Sequence, residues 1–130
     1  MKQIACAVLV VLLASCVANH RELSSAQRAD SDVIEGLRRA GSDVSKLHAT
    51  TYYLYFPGEK PARDAGADLQ KVGYALVKVA ENAKRTEWVV IASKPLIPTL
   101  AEVTRISREL NALARKHNGD YDGWEAAVTK

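Results

Sequence analysis

Four short strand-like segments, separated by helix-like ones, most constrain what this chain can fold into. Residues 49–56 and 88–92 are rich in β-branched and aromatic side chains, which strands favour. Residues 74–80 and 121–129 instead alternate apolar and polar positions, as the edge strands of a sheet often do. The sequence therefore predicts two central strands and two edge strands.

Three helical patterns accompany these strands. Asp32 and Glu35 form a capping-box-like pair before the first helix, apolar spacing predicts the second over residues 61–72, and Thr99 with Glu102 begins the third. The resulting order is a helix followed by βαββαβ. It predicts an α+β fold, namely a ferredoxin-like sandwich in which a four-stranded antiparallel sheet carries two helices on one face, with an extra N-terminal helix.

The same alternation predicts which strand side chains face the helices. The inward set is Thr50, Tyr52, Leu54, Phe56, Ala75, Val77, Val79, Trp88, Val90, Ala92, Trp124, Ala126 and Val128. The outer set is Tyr53, Tyr55, Tyr74, Leu76, Val89, Ile91 and Tyr121. The outer face of the sheet is thus predicted to be apolar and aromatic.

We expect another part of the chain or a binding partner to cover this apolar outer face. Large contiguous apolar patches are unusual on monomers and often mark interfaces. Tyr53, Tyr55, Val89 and Ile91 lie on the two central strands and are the candidate partner-binding residues. Two interpretations are open. Either the helix around residues 24–40 folds across this face, or a protein partner or a second copy of the chain binds it.

The N-terminus has the pattern of an export signal. Residues 4–13 form an apolar run of ten that follows a single positive charge at Lys2. This run is short for a membrane-spanning helix, which needs about 20 apolar residues, and is typical of a secretory signal peptide. The segment Leu13-Ala14-Ser15-Cys16 also resembles the bacterial lipobox, whose cysteine is acylated after cleavage. An ordinary signal peptide that happens to contain Cys16 is the alternative.

These patterns predict a lipoprotein signal peptide over residues 1–15, a tether over 16–30 and a folded domain over 31–130. The expected location is the bacterial cell envelope, with a lipid anchor at Cys16, in the outer membrane if the host is Gram-negative. Several acyl chains on one cysteine would hold the protein durably at the membrane.

Composition excludes several other classes of protein. Both cysteines, Cys6 and Cys16, lie in the first sixteen residues, so the folded region can form no disulfide. The three histidines His20, His48 and His117 lack metal-ligand spacing. Lys and Arg number 18 against 15 Asp and Glu, for a net charge of +3 spread along the chain, which argues against a nucleic-acid partner. No cofactor or metal is predicted.

No set of residues forms a recognisable catalytic group, and the sequence predicts a protein that is not an enzyme. His117 lies near the predicted end of a helix, where an imidazolium is stabilised by the helix dipole. Asp120 and Asp122 could bind a cation weakly, but aspartates in turns more often bond the neighbouring backbone.

Four short motifs resemble the RraB family, the B-type regulators of ribonuclease E activity. The motifs are Gly41-Ser42-Asp43, Lys71-Val72-Gly73-Tyr74, Leu113-Ala114-Arg115-Lys116 and Tyr121-Asp122-Gly123-Trp124. Their order and spacing match across about residues 31–127. The resemblance implies a ferredoxin-like fold and a non-catalytic protein that inhibits ribonuclease E by binding it. Glu125 departs from the family pattern, which has glycine after the last motif.

The last motif has two interpretations. In the first, Asp122-Gly123 makes a kink or bulge and Trp124 fills the core. In the second, Tyr121 and Asp122 lie at the rim of the partner-binding surface.

The export signal separates this chain from ribonuclease E, which works on the cytoplasmic side of the membrane. We therefore predict a non-catalytic protein-binding module, anchored as an envelope lipoprotein, whose partner is an envelope protein or a second copy. The first alternative is a genuine ribonuclease E inhibitor that acts in the cytoplasm. The second is a small envelope enzyme.

Overall fold

The computed structural model describes residues 23–84 and 86–130, and it confirms an α+β architecture of three helices and one four-stranded antiparallel sheet. The elements are α1 (Ser25–Arg39), β1 (Thr50–Phe56), α2 (Glu59–Lys71), β2 (Ala75–Asn82), β3 (Glu87–Ser93), α3 (Leu100–Lys116) and β4 (Asp120–Ala126). No helix in this described part is long and apolar enough to cross a membrane. The predicted signal peptide and Cys16 lie outside the described residues.

The sheet has the order β2-β3-β1-β4, so β1 and β3 are central, as their composition predicts. Both edge strands are irregular. In β2 the pairing with β3 skips Val77, between Leu76 and Lys78. In β4 the pairing with β1 skips Asp122, because Tyr121 lies opposite Leu54 and Gly123 opposite Tyr53. Each edge strand therefore contains a β-bulge.

All three helices lie on one side of the sheet. Helix α2 covers β2 so closely that a Cβ at Gly66 would lie 3.1 Å from the Cδ1 atom of Leu76. Helix α3 packs against β4 and β1, and α1 packs along α3 on that same side. Because α1 contacts α3 and Trp124 rather than the outer face, the interpretation of this helix as a cover for the outer face is wrong.

The core lies between this helical layer and the inward side of the sheet. Alternate residues of β1 are buried, which confirms its predicted inward set. The core is Ile34, Leu37, Tyr52, Leu54, Phe56, Ala62, Ala65, Leu69, Tyr74, Val90, Ala92, Leu96, Val103, Ile106, Leu110, Ala114 and Trp124. Trp88 is only half-buried, with the Arg63 guanidinium 5.8 Å from its ring centre.

Helix α1 begins earlier than the sequence predicts. Its N-cap is Ser24, whose hydroxyl accepts a hydrogen bond from the Gln27 amide while the Gln27 side chain accepts one from the Ser24 amide. Asp32 therefore lies inside the helix, and its assignment as N-cap is wrong. Helix α3, in contrast, begins at Thr99 as predicted, with the Thr99 hydroxyl accepting from the Glu102 amide.

The predicted faces of Ala75, Leu76 and Val77 in β2 are wrong because the bulge at Val77 shifts the phase of the strand, whereas Val79 faces the helices as predicted. Leu76 and Val79 approach Gly66 of α2 and therefore face the helices, whereas Ala75 and Val77 are exposed. A strict alternation from Ala75 has no place for the extra residue.

Two tyrosines predicted for the outer face also point the other way. Tyr74 is buried just before β2, and its ring meets that of Tyr52 edge to face at 5.4 Å. Tyr121 packs against the core, since the bulge at Asp122 places it opposite the buried Leu54. At the end of the chain, Val128 lies beyond β4 and is exposed, so its inward assignment is wrong too.

Candidate functional site

The outer face of the central strands brings four of the predicted binding residues together. Tyr53 lies opposite Ile91 and Tyr55 opposite Val89 in the β1–β3 register. All four side chains are half-buried, and no described helix lies over them. We call this set of four residues the open face.

Charged residues border the open face. Lys78 of β2 pairs with Ile91, and Glu125 of β4 is exposed two residues beyond Gly123, the partner of Tyr53. The Tyr53 hydroxyl donates a 2.6 Å hydrogen bond to Oε1 of Glu125, and this bond to a carboxylate raises the pKa of Tyr53. An apolar centre with a polar border is the usual anatomy of a protein-binding surface.

Gly123 leaves one flank of the open face uncovered. Its φ of +146° is a conformation that side-chain-bearing residues rarely adopt, and no atom lies within 4 Å of where its Cβ would be. Because Gly123 lies opposite Tyr53 and has no side chain, the flank of the Tyr53 ring stays accessible.

The other two predicted binding residues, Tyr121 and Asp122, do not join the open face. Tyr121 faces α3, where burial raises the pKa of its hydroxyl, and this hydroxyl has no hydrogen-bond partner among the described residues. Asp122 is the exposed residue of the β4 bulge. The bulge and the buried Trp124 confirm the structural interpretation of this motif.

A buried aspartate that the sequence analysis missed lies behind this motif. Oδ1 of Asp30 accepts hydrogen bonds from Nε1 of Trp124 at 3.1 Å and from the Ser107 hydroxyl at 3.2 Å. Asp30 is only 7% exposed, and burial raises the pKa of its carboxyl group above the usual range. One signal was present, since Asp30 shares a helical face with Ile34 and Leu37, but the residue fell within the predicted tether.

A second missed contact joins the first motif of the domain to the start of the sheet. Ser42 Oγ lies 2.6 Å from Nε2 of His48, and Nδ1 of His48 lies 2.7 Å from the Lys46 carbonyl. A carbonyl only accepts, so Nδ1 of His48 carries a proton and donates it to the Lys46 carbonyl. Both side chains are buried, with His48 at 0% exposure, so this serine–histidine pair holds the loop and is closed to a substrate.

The remaining titratable candidates make ordinary structural contacts. His117 ends α3, and its Nε2 lies 2.8 Å from Asp68, where this hydrogen bond and that from Lys116 lower the pKa of the Asp68 carboxyl. Within residues 23–84 and 86–130, no three His, Cys, Asp or Glu side chains are grouped so that they could hold a metal ion.

Comparison with known proteins identifies one relationship. The family model described as regulator of ribonuclease activity B matches residues 27–126, which is more than half of the chain. This range includes most of α1 and all four strands. None of the curated proteins matches the chain.

Proposed function

The chain belongs to the family of regulators of ribonuclease activity B, and from that premise we propose that it is a non-catalytic regulator that binds a protein through the open face of its sheet. A regulator of an enzyme acts by contact, so it needs a surface rather than a reactive group. The open face is the surface that this sheet offers on the side away from its helices.

The single observation that carries this proposal is the grouping of four large side chains where no described helix covers them. Tyr53, Tyr55, Val89 and Ile91 come from neighbouring positions of β1 and β3. Aromatic residues are enriched in the centre of protein interfaces, where they bury much area at a low cost in conformational entropy.

We also infer that the domain is a ferredoxin-like sandwich. The order β2-β3-β1-β4 places β1 and β3 in the centre, and α2 and α3 each connect a central strand to an edge strand. This arrangement supports a split βαβ pair, in which one face of the sheet carries the helices and the other remains free for contact.

The proposed compartment is the cell envelope, with Cys16 as the lipid-bearing residue. Support comes from the short apolar run before Leu13-Ala14-Ser15-Cys16. A partner in this compartment would be another envelope protein or a second copy of the chain.

The family match favours one alternative function. A form that keeps its N-terminal segment and stays in the cytoplasm would be placed to inhibit ribonuclease E, as members of this family do. The two functions differ in compartment, so processing at Cys16 distinguishes them.

We expect Cys16→Ala to abolish membrane association of the protein. The substitution removes the thiol that would be acylated, whereas the matched variant Cys6→Ala changes a cysteine that would be discarded with the signal peptide. Mass spectrometry of the mature N-terminus and membrane fractionation measure the outcome. A soluble chain that retains an unmodified Met1 would contradict the envelope location and support the cytoplasmic alternative.

We expect Ile91→Lys to abolish partner binding while the domain stays folded. A lysine at the centre of the open face would lose its hydration when the partner binds. Burying this charge without a partner costs free energy and therefore weakens binding. The assays are sedimentation velocity for self-association, and pull-down with purified ribonuclease E and with solubilised envelope extract. Thermal unfolding followed by circular dichroism reports the integrity of the fold.

The matched control is Val72→Lys, which adds the same charge at an exposed apolar residue that follows α2. This variant should bind as the unmodified protein does. Binding that survives Ile91→Lys, or that both variants lose equally, would exclude the open face as the interface.

A further inference from the structure

A small cavity of about 280 Å³ lies where α1, α3 and β4 meet, on the helical side of the sheet and away from the open face. Pockets for small molecules usually hold about 300–1,000 Å³. A cavity just below this range has the size for one side chain rather than for a cofactor.

The wall of this cavity includes the buried carboxylate of Asp30. Both hydrogen bonds that this group accepts, from Trp124 and Ser107, go to Oδ1. Oδ2 is buried and has no hydrogen-bond partner among the described residues. A buried acceptor left without a donor costs free energy, so a ligand that donates to Oδ2 would recover a hydrogen bond at this position.

The charge of the lining is entirely negative. Asp30 and Asp122 are its charged residues, and no lysine, arginine or histidine lines it. Asp122 is exposed and makes no ion pair with any described residue. An acidic lining of this kind favours a cation over an anion or a neutral group.

Two aromatic residues, Tyr121 and Trp124, line the same cavity. A planar guanidinium stacks on aromatic rings and donates hydrogen bonds to carboxylates in a fixed geometry, which the compact ammonium of lysine cannot do as well. The lining therefore suits arginine in shape, charge and hydrogen bonding.

We propose that this cavity receives an arginine side chain of a protein partner, with Asp30 as its acceptor and Asp122 at the entrance. The proposal rests on the protein-binding role above, but it adds a second contact on the opposite side of the sheet. It also gives Tyr121 and Asp122 the rim position that the second interpretation of their motif predicts, at this cavity instead of the open face.

The test titrates the folded protein with N-acetyl-arginine amide and follows the indole N–H resonance of Trp124 by ¹⁵N NMR. Trp88 is the other tryptophan in the chain, so a Trp88→Phe variant assigns the two signals. N-acetyl-citrulline amide, which has nearly the same shape without the charge, is the matched ligand. We expect a saturable shift of the Trp124 signal with the arginine compound and none with citrulline.

Two substitutions extend the test. Asp122→Asn should weaken binding of the arginine compound about threefold, since the lost charge is exposed, and Asp30→Asn should weaken it about tenfold or more. Asp64→Asn on α2, outside the cavity, should leave it unchanged. If Asp30→Asn does not fold, the affinity of Asp122→Asn for the arginine compound still tests whether the cavity binds it.

Three outcomes would overturn this inference. They are an equal shift with citrulline, a larger shift with N-acetyl-lysine amide, and no shift at any concentration that leaves the fold intact. Ile91→Lys should not alter the titration, so failure of the open face and failure of the cavity are separate results.

Discussion

Trp124→Ala should lower the free energy of unfolding by about 3–5 kcal/mol, the usual cost of removing a buried indole ring. The ring is 7% exposed and lies opposite Tyr52 in the sheet. The substitution also removes the Nε1–H donor of Asp30, which leaves a buried carboxylate with one donor fewer. Domains of this size have only about 5–15 kcal/mol of stability in total. Urea denaturation with a fitted midpoint and slope measures the loss.

Two further variants separate the contributions at this position. Trp124→Phe keeps an aromatic ring but loses the donor and part of the indole volume, so its cost is an upper limit on the contribution of the hydrogen bond to Asp30. Trp88→Ala should cost less than Trp124→Ala, because Trp88 is only half-buried, beneath the guanidinium of Arg63. Equal losses for both alanine variants would contradict the different burial of the two rings.

Gly119→Ala should destabilise the domain by about 3 kcal/mol, at the upper end of what an added methyl group costs in a packed site. Gly119 lies between α3 and β4, and a Cβ there would overlap the backbone carbonyl of Tyr55 and the ring of Phe56. Neither can move away easily, because β1 is a central strand. Thermal and urea unfolding should both show the loss.

Gly36→Ala is the matched control for this substitution. Gly36 lies inside α1, and apart from its chain neighbours and the adjoining helix backbone no atom lies within 4 Å of where its Cβ would be. The same added methyl group should stabilise the protein there, by up to about 1 kcal/mol, because alanine is the better helix former. A Gly119→Ala variant as stable as the unmodified protein would contradict the close approach of the α3–β4 connection to β1.

The central strands could be predicted because their side chains alternate without interruption. Tyr52 and Leu54 point inward and Tyr53 and Tyr55 outward, as the period of two requires. Two features of the β4 motif were also predicted correctly, the bulge at Asp122-Gly123 and the buried Trp124. The resemblance of the chain to the RraB family is confirmed by the family match over residues 27–126.

The errors lie where one residue breaks the period. Nothing local in the sequence shows that the pairing skips Val77. A bulge at Asp122-Gly123 was one interpretation of the last motif, but the predicted outward position of Tyr121 followed a strict alternation that leaves this bulge out. The consequence for the candidate site was large, because the bulge at Asp122 moves Tyr121 from the outer face to the helical side.

The buried position of Asp30 was missed for a different reason. Its burial depends on Ser107 and Trp124, which are 77 and 94 residues away along the chain. Sequence periodicity reports contacts within one element, and a polar residue at an inward position looks the same as one in a solvated segment until its distant donors are known.

The two bulges also affect whether the edges of this sheet can pair with strands of other chains. A regular edge strand presents a row of unpaired amide and carbonyl groups on which another chain can form a strand. Here both edges, β2 and β4, have an interrupted register, at Val77 and at Asp122. An added strand would meet a broken ladder on either side, so fibril-like stacking is disfavoured at both edges. The two bulges therefore protect the protein from edge-to-edge aggregation, while the outer face of the two central strands stays uncovered by any described helix.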